Sequence, residues 1–150
     1  MNSGLLAGLL NEPFFAKRPP KSTGRDLFNA PWLSAKLAGF GPLAPQDVQA
    51  TLTELTALSS ARSLLSVSAH CTRLIVCGGG ALNVYLIQRL QAALPLCQVV
   101  SSAAHGLAPL QVEATAFAWL ARQTVLGKTS SLKSVTGAQG ARILGAIYPA

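Results

Sequence analysis

The stretch LIVCGGGALNV at positions 74–84 constrains the fold of this chain more than any other. Four apolar residues run into Gly78, Gly79 and Gly80, and an amphipathic segment follows. Three consecutive glycines are costly to order, because glycine gives up the most backbone freedom on folding. Between a short buried strand (73–77) and a helix they have two uses. One is a tight turn with close helix–strand packing; the other is close approach of a ligand to the backbone. Strand, glycine turn and helix N-terminus together present backbone N–H groups to an anion. The sequence is neither a GxGxxG fingerprint nor a Walker A loop, so the pattern alone leaves both uses open.

The flanking segments extend this into an α/β pattern. Asn83 stands where an N-cap is expected. Val84, Ile87, Leu90 and Leu94 then form a helical apolar stripe that Pro95 ends. CQVVS (97–101) predicts a second strand. Residues 111–126 predict a further, mostly buried helix, with Val112, Thr115, Ala116, Trp119 and Leu120 along one side and Gly127 closing it. This βαβα order implies a parallel strand pair with a right-handed crossover. Ligands of such sheets bind at the carboxyl ends of the strands, where the three glycines fall. Upstream, residues 45–67 predict a long helix with Pro45 in its first turn. Its Val48, Leu52, Leu55, Leu58 and Leu65 lie mostly on one face. Residues 3–10 predict the end of a helix closed by NEP. The loop AKRPPKSTGRD (16–26) comes next, and Leu27, Phe28 and Trp32 are expected to pin it to a core.

Half of the 150 residues are hydrophobic, which supports a real core and argues against wholesale disorder. The length suits one domain, or one half of a two-lobed protein. Only 11% are charged, against the usual quarter, which points to a surface that is partly covered in the working protein. The longest apolar runs are far short of a membrane span. The N-terminal segment has no basic region or clear cleavage site and is read as a helix, not a signal peptide. The net charge of +7 comes from twelve Lys and Arg against five acids. Lys17, Arg18, Lys21 and Arg25 cluster, but no basic stripe interleaved with aromatics exists. A solvated face or an anionic ligand therefore explains the charge better than nucleic acid. Three cysteines with no CxxC argue for a reducing compartment and for buried or partly buried thiols. His70, Cys71 and the distant His105 make no metal signature.

Few groups are placed to carry chemistry. The GKT at 127–129 imitates the tail of a P-loop, but Arg122 stands where the first glycine is required and a helix precedes it. The loop KSTGRD (21–26) offers Lys21, Ser22, Thr23 and Arg25 to a phosphate or to sugar hydroxyls; it is equally a solvated Ser/Thr turn. Among the five acids, Glu12 and Asp47 fall at helix ends, and Glu54 is expected on an exposed helix face. Glu113 opens an apolar helix, where an acid is either stabilised by the helix dipole or aimed at a cleft. No GxSxG or Cys/Ser–His arrangement supports a hydrolase.

Taken in order, PPKSTGRDLFNAPWL, DVQATLTELTA, LIVCGGGALN, VEATAFAWLA and SVTGAQGARILGAIYPA resemble the C-terminal part of bacterial anhydro-N-acetylmuramic acid kinases. The resemblance covers nearly the whole chain. It implies the actin/Hsp70/sugar-kinase (ribonuclease H-like) fold, with residues 1–150 as the second, nucleotide-side lobe. It also implies MgATP-dependent phosphorylation of the 6-oxygen of 1,6-anhydro-N-acetylmuramic acid, with water opening the anhydro ring. The product, N-acetylmuramic acid 6-phosphate, belongs to cytoplasmic peptidoglycan recycling. Gly78, Gly79, Gly80 and Asn83 would then contact ATP, and Glu113 would hold the sugar or orient the water. The implied ligands are ATP, Mg²⁺ and the anhydro-amino sugar. No resident protein-bound metal, nucleic acid or membrane is implied, and a homodimer is among the assemblies allowed.

The chain also departs from that family. Leu82 stands where an arginine usually precedes the asparagine. Leu110 and Gln111 replace two acids before the helix glutamate. The family's GTSxDG-type phosphate loop and DTGPGN-like motif with the catalytic aspartate do not occur in this sequence. The expectation is a C-terminal fragment lacking the N-terminal lobe and inactive alone, the alternative being a non-catalytic remnant or a nucleotide-binding module.

Overall fold

The computed structural model describes residues 1–149; Ala150, which closes the SVTGAQGARILGAIYPA segment, lies outside the described residues. The chain opens with helix α1 (Ser3–Leu10), whose first turn is held by Asn2: its side chain accepts from the Leu5 N–H at 2.8 Å. A single turn, α2 (Pro13–Ala16), and a two-turn helix, α3 (Ala30–Leu37), follow. Neither is foreseen in the sequence, where PP and STGRD mask them. Asn29 caps α3 through the Trp32 N–H at 2.9 Å, and Pro31 sits in its first turn.

Helix α4 (Pro45–Val67) is the spine, with the boundaries its pattern predicts. Two hydrophobic clusters meet along it. Leu5, Leu9 and Leu55 form the first, with Trp32, Phe15 and Leu52 packed around them. Ala61, Leu94 and Cys97 form the second, with Leu74 and Val99 of the sheet against them. The buried face of α4 runs through Thr51, Glu54, Leu55, Ala57 and Ala61. Ala57 and Ala61, one turn apart, remove side-chain bulk on that face. Leu65, expected on that stripe, is exposed, and Leu64 beside it packs on the second cluster instead.

Strand β1 (Arg73–Val76), helix α5 (Val84–Ala93) and strand β2 (Gln98–Ser101) make the expected parallel unit. Arg73 pairs with Gln98 and Val76 with Ser101. Leu90 and Leu94 are buried as the α5 stripe predicts, whereas Val84 at its first turn is exposed. The strand expected to be buried is not: its residues alternate between exposed and half-buried, and Ile75 is 49% accessible. Successive side chains of a strand point to opposite faces. Leu74 meets the second cluster, and Ile75 looks out from the other face of a two-stranded sheet. Parallel sheets are ordinarily covered on both faces.

After β2 come two 3-10 turns (Ser102–His105 and Pro109–Gln111), helix α6 (Val112–Val125) and the short α7 (Lys133–Thr136). Gly127 closes α6 as expected, with φ +63°. Its N–H reaches the Thr124 carbonyl, and Lys128 N–H reaches that of Gln123. The expectation of a mostly buried helix fails here. Only Gln123 of α6 is buried, and Phe117 and Trp119 are 63% and 50% accessible. Along its apolar side Phe117, Leu120 and Val125 line an open cleft with Leu144 and Ile147 of the C-terminal segment, and Thr124 donates to the Leu144 carbonyl. Among those residues no helix is long and apolar enough to cross a membrane.

Candidate functional site at the carboxyl end of the strands

Leaving β1, the chain reaches Gly78 with φ +72° and ψ −170°, a conformation that L side chains rarely adopt. Its N–H donates to the Pro109 carbonyl at 2.9 Å. Residues Gly79–Leu82 then wind into a 3-10 turn, and Ala81 N–H closes back on the Gly78 carbonyl. The three glycines do different work. Gly78 supplies the backbone angle. A Cβ on Gly80 would touch the Leu86 side chain at 3.4 Å, an ordinary contact distance. A Cβ on Gly79, like one on Gly78, would meet nothing within 4 Å, so the space beside this backbone is open to a ligand.

Asn83 is the N-cap of α5: its side-chain oxygen accepts from Leu86 N–H at 3.0 Å. It also lines a shallow cleft of about 220 Å³ with Gln49, Thr53 and Thr56 of α4. A residue that sequence reasoning missed lies beside the end of β2. Ser102 is buried, and its hydroxyl finds no partner among the described residues, a condition that in native proteins calls for an explanation. The double serine at 101–102 is its only trace in the sequence.

The Gly78–Pro109 hydrogen bond ties the glycine turn to the segment that starts α6. Glu113 sits in the first turn of that helix and is exposed. It therefore stands where the helix dipole favours a carboxylate, but on a solvated helix rather than the buried one expected. Leu110, beside it, is 65% accessible. The glycine turn and Glu113 thus belong to one end of the sheet.

The KSTGRD loop lies elsewhere. Lys21 Nζ donates to the carbonyls of Phe15 and Phe14, at 2.8 and 3.3 Å, and lies 5.2 Å from the Phe14 ring centre. It neutralises the C-terminal end of α2. Asp26 accepts from Gly24 N–H at 2.8 Å, and this backbone bond holds its carboxyl below the usual range. Ser22 and Arg25 are exposed, and Thr23 is half-buried. Phe28 stacks on Phe15 at 5.6 Å and meets Trp32 edge-on at 5.0 Å, pinning the loop as predicted. Lys21 and Ser22 face Ser63 and Val67 on the second half of α4, whereas Asn83 faces Gln49 and Thr53 on the first. Thr53 and Ser63 are about 15 Å apart at 1.5 Å per residue, so this loop lines a different cleft from the glycine turn.

Glu54 departs from expectation. It is buried and paired with the Arg89 guanidinium at 2.5 Å through Oε2 and 3.1 Å through Oε1. The alanines on the same face of α4 draw α5 in over it. Cys97 is buried with its sulfur 3.5 Å from that of Cys71, and burial pushes its thiol up. Cys77, expected at least partly buried, is exposed at the strand's end. Among the described residues no three His, Cys, Asp or Glu come together as a metal cluster.

Comparison with known proteins agrees with the resemblance read from the motifs. All of residues 1–150 match the family model described as anhydro-N-acetylmuramic acid kinase. A protein of that name from Albidiferax ferrireducens is 65% identical over 146 residues, covering 97% of this chain and 38% of the relative. One from Variovorax paradoxus is 63% identical, covering 98% and 39%. One from Pseudomonas fluorescens is 52% identical, covering 97% and 40%. The chain therefore spans about two fifths of the length of the curated relatives it matches.

Proposed function

Because this chain belongs to the anhydro-N-acetylmuramic acid kinase family, we propose that it forms the nucleotide-side lobe of an ATP-dependent sugar kinase with the actin/Hsp70/sugar-kinase fold. The reaction is transfer of the γ-phosphoryl group of MgATP to O6 of 1,6-anhydro-N-acetylmuramic acid. Water adds at C1 as the bond from C1 to O6 breaks, giving N-acetylmuramic acid 6-phosphate for peptidoglycan recycling in the cytoplasm. The single observation that carries this reading is the glycine turn at the carboxyl end of β1: Gly79 leaves its backbone open, and the unpartnered Ser102 hydroxyl lies at the end of the adjoining strand.

The groups present there fit a nucleotide. Open backbone beside Gly79 suits a flat ring or a phosphate. Mg²⁺ would arrive with the triphosphate. Asn83, by capping α5, holds the turn in place. Glu113 would orient the sugar or the attacking water. The outward apolar side chains of Ile75, Phe117 and Trp119 are the face on which the remaining part of the kinase fold would pack. A catalytic base would come from that part.

Gly79→Ala tests the nucleotide site, since the added methyl meets no atom of the chain. Its fold should be unchanged, while ATP binding read by calorimetry should fall about tenfold, because the methyl group fills the space a ligand would take against the backbone. Equal ATP affinity in the two proteins would defeat the assignment. The second reading, a non-catalytic remnant, is favoured by the exposed Leu82 in place of a cation. It predicts no ATP binding, and no transfer from labelled ATP to the anhydro sugar when the preceding portion of a relative is added.

A further inference from the structure

The strongest concentration of uncompensated charge lies away from the glycine turn. A cleft of about 410 Å³ opens between residues 16–21 and the second half of α4. Lys17, Arg18, Lys21 and Arg62 line it, with the hydroxyls of Ser59 and Ser63. No carboxylate among the described residues does. Four of the five acids are engaged elsewhere: Glu12 with Trp32 and Lys36, Asp26 with Gly24 N–H, Asp47 with the N-terminal amine and Glu54 with Arg89. The fifth, Glu113, belongs to the start of α6. Lys17, Arg18 and Arg62 form no ion pair among the described residues, so four cations line one concavity with no acidic side chain of those residues in it. Such a cleft focuses its field on an incoming anion.

We propose that this cleft binds a small phosphate ester. Lys21 is a fixed charge, because its ammonium is held by the Phe14 and Phe15 carbonyls. Arg62 projects from a long helix and offers the planar fork that matches phosphate oxygens. The volume falls within the range of small-ligand pockets and exceeds what one phosphate fills. A second concavity of about 610 Å³ shares Pro19, Lys21 and Ser63 with the first and is walled by Pro20, Val67 and Val135. The phosphate would lie against Arg62, Arg18 and Lys17, with the organic part beyond Lys21. A concave site with four cations fits a small anion better than a polyanion backbone, which needs an extended track.

The test is calorimetric titration of the chain with glucose 6-phosphate and, separately, inorganic phosphate, against chloride at matched ionic strength. Glucose 6-phosphate should bind more tightly than phosphate, and phosphate should compete with it. Arg62→Gln should weaken both about tenfold, as expected for a lost hydrogen bond to a charged group. Lys128→Gln, which removes the same charge outside the cleft, should change neither. The proposal is overturned if neither probe binds, if Arg62→Gln binds as the parent does, or if Lys128→Gln weakens binding equally. Inorganic phosphate binding as tightly as the ester would overturn the ester assignment. Gly79 does not line this cleft, so these outcomes are independent of the nucleotide test above.

Discussion

The two tryptophans sit in opposite surroundings. Trp32 packs on the Leu5, Leu9 and Leu55 cluster, meets Phe28 edge-on and donates its indole N–H to Glu12 at 2.8 Å. Trp119 lies on α6 with half its surface in solvent. The contrast runs through the molecule. Among the described residues, every buried apolar side chain falls at or before Cys97, and beyond it only Ser102 and Gln123 are buried. Yet α6 is as apolar in sequence as the helices that do pack. Apolar content therefore marks two different things here: a core that the chain completes by itself, and a face that needs another surface. An exposed apolar patch of this kind marks an interaction site.

Truncating one side chain in each region is the strongest way to break that contrast. Leu9 is fully buried, and Leu9→Ala should cost about 2–5 kcal/mol, the transfer loss plus a cavity. Phe117→Ala should cost less than about 0.5 kcal/mol, as for an exposed site. Urea unfolding of both variants measures the difference. A cost above about 1 kcal/mol for Phe117→Ala would mean that α6 is covered in solution, and the contrast would collapse.

Helix capping offers a smaller and opposite pair of effects. Asn83→Ala removes the Leu86 N–H partner and should destabilise by about 1 kcal/mol. The run from Pro109 into α6 begins after Ala108, which offers no side-chain acceptor. Ala108→Ser supplies one and should raise stability by up to about 1 kcal/mol. If Ala108→Ser leaves the thermal midpoint unmoved while Asn83→Ala lowers it, then α6 unfolds separately from the rest.

What could be read from the sequence divides along the same line. The span of α4, the α5 cap, the parallel strand pair and the Gly127 stop rest on local signals (a 3.6-residue period, an asparagine, a glycine) that act within a few residues. Burial is not local. Trp119 and Leu120 look like a core stripe because the period is right, but a period states which face is apolar, not what covers it. Glu54 failed for the converse reason: a charged residue on a helix defaults to solvent unless its partner is known, and Arg89 lies 35 positions away. At the glycine turn the pattern could not choose between turn and open backbone. The structure gives Gly78 the backbone angle of the turn, leaves open space beside both Gly78 and Gly79, and sets the Leu86 side chain against Gly80. Ser102 carried no pattern, since an unpartnered hydroxyl is visible only once its surroundings are built.

Acid should separate the two tryptophans by a subtler route. The Trp32 N–H, followed by Lys36, holds the Glu12 carboxyl below its ordinary value. A carboxyl depressed in the folded state contributes stability above its unfolded pKa and loses it as pH falls through the folded one. Trp32 emission should therefore be flat from pH 7 to about 5 and change only below about 4.3, the ordinary glutamate value. Fluorescence of a Trp119→Phe variant isolates that signal, and Glu12→Gln in the same background should erase the transition. Trp119, read in a Trp32→Phe variant, has no carboxylate partner among the described residues and should report no such step before global unfolding. A Trp32 transition centred above the ordinary value would show that Glu12 does not hold the indole, and the packed half of the molecule would lose one of the contacts that distinguish it from α6.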